Sequence, residues 1–158
     1  MEIRKIQPSD NAAIAKVIRD CFIEHNAPKE GTVYSDPTTD NLFEYFSMAN
    51  AICWIAEVES KIVGACGIYP TEGLPYGYVE LVKFYIQPSS RGLGVGKALM
   101  NQCIQSAKDF GFTSIYLESL PMFTTAINMY NKLGFESLQN AIGNSGHTSC
   151  NIWMTKKL

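Results

Sequence analysis

The run "QPSSRGLGVGKALM", residues 87–100, sets Arg91 directly before glycines at 92, 94 and 96 and then enters a helix-like stretch. Glycine allows the backbone to approach a ligand closely, and the first turn of a helix offers unpartnered N–H groups at the positive end of its dipole. Such a loop suits a phosphate, and a pyrophosphate would fit; the same spacing also serves a helix entry that merely needs tight turns. Two titratable residues stand out beside it. Glu80 interrupts the apolar stretch "YVELVKFYI", where burial raises a carboxylate's pKa. His147 sits in the polar "GNSGHTSC", and an imidazole titrating near about 6.5 is the commonest general base. Each has a plainer reading: Glu80 paired with Lys83 or a loop donor, His147 as a turn or surface residue. His25 is a weaker candidate of the same kind.

Two nucleotide motifs fail on this loop. A P-loop needs G-x-x-x-x-G-K-[ST], but Arg91 stands five residues before Gly96 and Ala98 follows Lys97 where a metal-binding hydroxyl belongs. A dinucleotide fingerprint would need glycine at 97 or 99, where Lys97 and Leu99 stand.

Periodicity supplies the elements that must position these residues. "EIRKIQ" reads as a strand, and Ile14, Val17, Ile18, Cys21 and Phe22 then recur at helical spacing behind the candidate caps Ser9 and Asp10. A polar loop from His25 to Asp40 precedes a short helix marked by Leu42, Phe43, Phe46 and Met48. "AICWIAEV" and "KIVGACGIYP" form a hairpin across Glu59 and Ser60, and "YVELVKFYI" is a third long strand. A helix burying Leu99, Cys103, Ile104 and Ala107 ends at Gly111, "SIYLESL" is a strand, and a helix carrying Ala126, Ile127, Tyr130 and Leu133 stops at Gly134. "NIWMTKKL" closes the chain, with a further short strand near "FESL". The order β-α-α-β-β-β-α-β-α-β, with no linker or repeat, predicts one α+β domain over residues 1–158 with a mixed sheet.

Composition narrows the partners. An apolar fraction of 46% with 18% charged residues is that of a globular chain, and no run reaches the length of a membrane span. A net charge of -2 supplies no field for a nucleic acid. "MEIRKI" carries no secretory pattern, so a cytoplasmic protein is expected, and five dispersed cysteines without CxxC spacing predict packed thiols and no metal site.

Arg91-x-x-Gly94-x-Gly96 after a strand ending "I-Q-P" resembles the R/Q-x-x-G-x-G/A signature of the GCN5-related N-acetyltransferase superfamily (GNAT). "AINMYNKLGFE" looks like that family's second signature, and the element order matches its fold along nearly the whole chain. The resemblance implies a mixed, mostly antiparallel central sheet flanked by helices, the acyl-CoA N-acyltransferase fold, with acetyl-CoA in a cleft between the splayed strands four and five, Tyr78 to Gln87 and Thr113 to Ser119. It implies that Phe84, Tyr85 and Ile86 hydrogen-bond the pantetheine arm by their backbone. Arg91, Gly92, Leu93, Gly94, Val95, Gly96 and Lys97 form the pyrophosphate loop, and Tyr130 and Lys132 of the second signature complete the cofactor site. One departure is Phe123 in "LPMFTTA", at a position where many members carry an asparagine that helps to hold the cofactor.

The implied activity is direct transfer of an acetyl group to a primary amine of a small molecule or a protein; the alternative is a non-catalytic coenzyme A-binding sensor. A homodimer is compatible with the resemblance. An alkylammonium of pKa about 10.4 must lose a proton, and the departing thiolate leaves better once protonated. Tyr130, at the family's acid position, is the expected acid. Glu80, six residues before Ile86, matches the spacing of the glutamate base in the family's histone-acetyltransferase branch, and strict alternation would set it on the face of Val82, Phe84 and Ile86. Glu118 on the neighbouring strand is a candidate for binding a cationic acceptor. Glu24, Glu30, Asp36 and Asp40 are further acidic hints, and the acceptor walls fall to residues 25–40, 71–77 and 140–149.

Overall fold

Residues 1–158 are described by a computed structural model. Alternating apolar residues make Ile52–Val58 (β2) and Lys61–Tyr69 (β3) an antiparallel hairpin. Its turn, Glu59 and Ser60, takes φ of 49° and 59°, the pair of positive values that matches the twist of the flanking strands. Glu2–Lys5 (β1) pairs with the outer edge of β2, and Tyr78–Ile86 (β4) pairs with β3. Between β1 and β2 run the helices Asn11–Glu24 (α1) and Leu42–Tyr45 (α2). From β4 the chain crosses over through Val95–Asp109 (α3) to Ser114–Ser119 (β5), and that helical crossover permits the sheet's one parallel pairing, β4 with β5. Thr124–Lys132 (α4), Glu136–Leu138 (β6) and Ile152–Lys157 (β7) complete a seven-stranded sheet in the order β1-β2-β3-β4-β5-β7-β6.

Two apolar clusters sandwich the sheet. On one face Leu99, Met100, Cys103 and Ala107 of α3 and Tyr130 of α4 pack on Val79, Leu81, Ile115 and Leu117. On the other, Ile14, Ile18 and Phe22 of α1 pack with Leu42, Ile55, Ala65 and Val82. Full burial of each large apolar side chain contributes about 1.5–3 kcal/mol, so these stripes fix which way each helix faces. Ile104, expected in the α3 stripe, lies only partly buried at its edge. All five cysteines are free thiols, four of them buried. No helix is long and apolar enough to cross a membrane.

Two features of β4 create the site. Its pairing with β5 covers only Tyr78–Leu81 against Ser114–Leu117, so the two strands part beyond Leu81 and leave the β5-facing backbone edge of residues 82–86 without a strand partner. The strand also bulges: Val82 pairs with Gly67 and Tyr85 with Ala65, so two residues of β4, Lys83 and Phe84, stand opposite one of β3, Cys66, with Lys83 at φ 57°. The extra residue inverts the alternation. Glu80 and Val82 face α1, whereas Phe84 and Ile86 pack on the α3 face, and the shared face expected for Glu80, Phe84 and Ile86 is not formed. Strict period-2 counting fails across a bulge, and the left-handed residue responsible is a lysine with no glycine signal.

Candidate active site

The cleft opened by the parting strands is walled by β4, β5, the C-terminal part of α1, the start of α4, and the segments around Thr32 and His147. At one end lies the glycine loop. Gly92 and Gly94 take φ of 78° and 82°, and a Cβ built at either would meet nothing within 4 Å, so glycine is required there by backbone conformation, not by crowding from the protein. Gly96 differs. Its Cβ would come within 2.9 Å of Met129 Cε and 3.0 Å of Ile86 Cδ1, so this glycine seats α3 against α4 and β4. Gly94 caps α3, and none of the six backbone N–H groups from Gly92 to Lys97 donates to a protein acceptor; the next, Ala98 N–H, donates to the Gly94 carbonyl. Six free donors on an exposed loop at a helix N-terminus fit a pyrophosphate.

Side chains of this loop take separate parts. Val95 is buried in the core, so only its backbone can serve a ligand, and Leu93 and Lys97 are exposed. Arg91 turns away from the free N–H groups. Its guanidinium forms a bidentate pair with Glu24 at 2.7 Å on both arms, and its Nε–H donates to the Ile86 carbonyl at 3.1 Å, which ties the loop to the end of α1 and to β4. Lys132 is exposed at the end of α4 and lies outside the cleft lining.

Tyr130 reaches the cleft from α4 and packs its ring against Phe84 and Phe135 at 5.9 and 5.7 Å. Its hydroxyl makes no hydrogen bond within the protein, yet no buried side-chain oxygen or nitrogen lacks a partner, which leaves this hydroxyl reachable from the cleft. Burial pushes the phenol well above its ordinary pKa, so it carries its proton throughout the physiological range.

Glu80 lies on the same cleft, 3% exposed. Burial, reinforced by the charge of Glu118, pushes its carboxyl up to about 7, while a hydrogen bond donated by the Thr71 hydroxyl and the charges of His147 and Lys83 oppose the shift. The β4–β5 register sets Glu80 beside Tyr116 and puts Glu118 two residues further on the same face. Glu118 accepts hydrogen bonds from Tyr116 at 2.8 Å and Ser145 at 2.7 Å.

The lysine expected as a partner for Glu80 is engaged elsewhere. Lys83 Nζ, buried, lies 3.4 Å from Asp36 Oδ2, 3.4 and 3.5 Å from the hydroxyls of Thr38 and Thr39, and over the Tyr45 ring. His147 Nε2 is 3.0 Å from the same Asp36 oxygen. Although burial opposes it, His147 and Lys83 hold the Asp36 carboxylate well below its ordinary pKa. This trio fastens the segment 32–39 and the 145–150 loop to the β4 bulge. Glu24 and Asp40, read as acidic hints, are neutralised by Arg91 and Arg19. The contacts of Thr71 and Ser145 escape sequence reasoning because they span long separations, and Asp36, read only as an acidic hint, gains its partners the same way; Lys83, a charge inside an apolar strand, is a visible signal that points to the wrong partner.

Phe123, at the N-cap of α4, packs edge-on against Phe22 at 5.3 Å, Tyr85 at 6.0 Å and His25 at 5.2 Å. An apolar wall thus stands at the position where many family members carry an asparagine. No group of three or more His, Cys, Asp or Glu side chains is arranged to hold a metal.

The family model described as Acetyltransferase (GNAT) family matches residues 13–135. The chain is 35% identical over 157 residues to the uncharacterized N-acetyltransferase YjgM of Escherichia coli K12, spanning 99% of this chain and 94% of that one. It is also 35% identical over 94 residues, 58% of this chain, to N-acetyltransferase 8B of Rattus norvegicus, of which the match spans 42%. Among solved structures, a GNAT-family acetyltransferase from Staphylococcus aureus Mu50 superposes with a TM-score of 0.87 at 20% identity, over 99% of this chain and 98% of that one. A phosphinothricin acetyltransferase from Sinorhizobium meliloti, solved in complex with acetyl-CoA, gives 0.78 at 20% identity over 99% and 88%. On the family match over residues 13–135 and the near full-length relative, the chain belongs to the acetyltransferase (GNAT) family.

Proposed function

We propose that the protein transfers the acetyl group of acetyl-CoA directly to a primary amine, with Glu80 as general base and Tyr130 as general acid. The observation that carries this reading is the pairing, in one cleft, of a carboxyl poised at about 7 with a phenol whose hydroxyl has no internal partner. Two titratable groups whose environments suit opposite tasks mark an acid–base pair.

Bound acetyl-CoA supplies an activated thioester. In the balanced reaction the amine nitrogen forms a bond to the acetyl carbon, the carbon–sulfur bond breaks, the amine proton passes to Glu80 through a water, and the sulfur receives the Tyr130 proton; Glu80 then releases its proton to solvent and Tyr130 takes one back, which restores the enzyme. The free N–H groups of residues 92–97 hold the pyrophosphate, and the unpaired edge of residues 82–86 receives the pantetheine amides. The Ile86 carbonyl, taken by Arg91 and approached by Cys21 Sγ at 3.5 Å, contributes least to that edge. Lys83, Asp36 and His147 act as positioning residues for the acceptor walls.

Initial-velocity measurements of thiol release with both substrates varied test the direct route. Intersecting lines, with no thiol release in the absence of an amine, are expected. Parallel lines would indicate a covalent acetyl-enzyme and contradict the proposal.

A further inference from the structure

The arginine and the lysine bordering the cleft are already committed. Arg91 is held by both oxygens of Glu24, and Lys83 lies 3.4 Å from Asp36, whose same oxygen is 3.0 Å from His147 Nε2. The two carboxylates of the cleft wall are in the opposite condition. Glu80 has a threonine hydroxyl for a partner, and Glu118 has a tyrosine and a serine hydroxyl. Each Glu118 oxygen accepts one bond and has lone-pair capacity left for an incoming N–H. Beside them Phe22, Tyr85 and Phe123 form an aromatic cluster with centroid separations of 5.3–6.0 Å.

We infer that the acceptor is a small primary amine with an aryl body and no acidic group, its nitrogen directed to Glu118 and its ring laid against Phe22, Tyr85 and Phe123. This rests on the amine acetylation proposed above. An acceptor carboxylate would enter a space whose arginine and lysine are already paired and whose wall carries Glu118 and Glu80, losing its water without a replacement partner. Discrimination against free amino acids would thus be built from repulsion as well as from fit. The ring recovers apolar contact and edge-to-face geometry that an alkyl chain obtains only in part.

The test is a comparison of kcat/KM for 2-phenylethylamine, phenylalanine and pentylamine on the intact protein, with a peptide amine in the same panel. The expected order places 2-phenylethylamine at least about 100-fold above phenylalanine and about 10-fold above pentylamine. Phe123→Ala should bring the aryl and alkyl amines within about 3-fold of each other, and Glu118→Gln should raise KM for 2-phenylethylamine while narrowing the gap to phenylalanine. Phenylalanine or the peptide matching 2-phenylethylamine would overturn this inference and leave amine acetylation standing. No thiol release with any amine, in protein that binds coenzyme A, would overturn both. The wild-type ratios need no variant, so a misfolded mutant does not protect the inference.

Discussion

At the scale of single residues, one strand environment raises a buried glutamate toward neutrality and one helix position keeps a tyrosine protonated. Burial of Glu80 opposes its ionised form, and burial of Tyr130 opposes the phenolate, so the same physical cause prepares both members of the pair. Because the Tyr130 hydroxyl has no internal partner, Tyr130→Phe leaves nothing unpaired in the fold. Its melting temperature should match the parent's and coenzyme A affinity by calorimetry should stay within about 3-fold, while turnover falls by about 10- to 1,000-fold. Unchanged turnover would return the ring to a packing role. The sequence made Tyr130 legible through its signature and Glu80 through its place in an apolar strand. The hydroxyls of Thr71, Tyr116 and Ser145, which orient the two cleft carboxylates, were illegible because nothing local to them announces a partner.

At the scale of elements, the parting of β4 from β5 and the β4 bulge shape the cleft and the glycine loop lies at its end, and of these the bulge was the one the sequence did not place. The loop announces itself by composition. The bulge arises from pairing across two strands, and its left-handed residue, Lys83, carries no glycine to betray it. The elements themselves were legible from the spacing of Ile, Val and Leu and from the stops at Gly111 and Gly134, both of which have φ 82°. Those values permit a controlled test of the loop. Gly94 and Gly111 share φ 82° with open space around the added Cβ, and they flank opposite ends of α3, about 25 Å apart at about 1.5 Å per residue. Replacing either by alanine should cost about 1–2 kcal/mol in denaturant unfolding. Only Gly94→Ala should also weaken coenzyme A binding, by about 10-fold or more, since that Cβ intrudes where the backbone must approach a phosphate. Equal affinity in the two variants would remove the pyrophosphate from this loop.

For the whole molecule, burying the Glu80 carboxyl carries a cost in stability. The Glu80 carboxyl is raised from 4.5 to about 7 in the folded state, so below about 4.5 it is protonated whether folded or not, and its contribution is fully present. As pH rises from about 4.5 through about 7 the unfolded chain ionises freely while the folded one resists, and stability falls across that window. Glu80→Gln, neutral at every pH, should therefore match the parent near pH 4.5 and exceed it above pH 7.5 by up to about 3 kcal/mol in chemical unfolding. A constant difference across pH would show that the buried carboxyl does not carry the linkage. Catalysis should move in the opposite sense, and the pH dependence of kcat/KM, compared between parent and Glu80→Gln with one amine, addresses the central claim most directly. In the parent, kcat/KM should rise through a limb with an apparent pKa near about 7 and continue upward as the amine itself deprotonates. In Glu80→Gln the lower limb should vanish, with kcat/KM at neutral pH reduced by about 100-fold or more and recovering only toward the amine's own pKa. Persistence of the limb in Glu80→Gln together with its loss in His147→Gln would assign the base to His147 and contradict the role of Glu80.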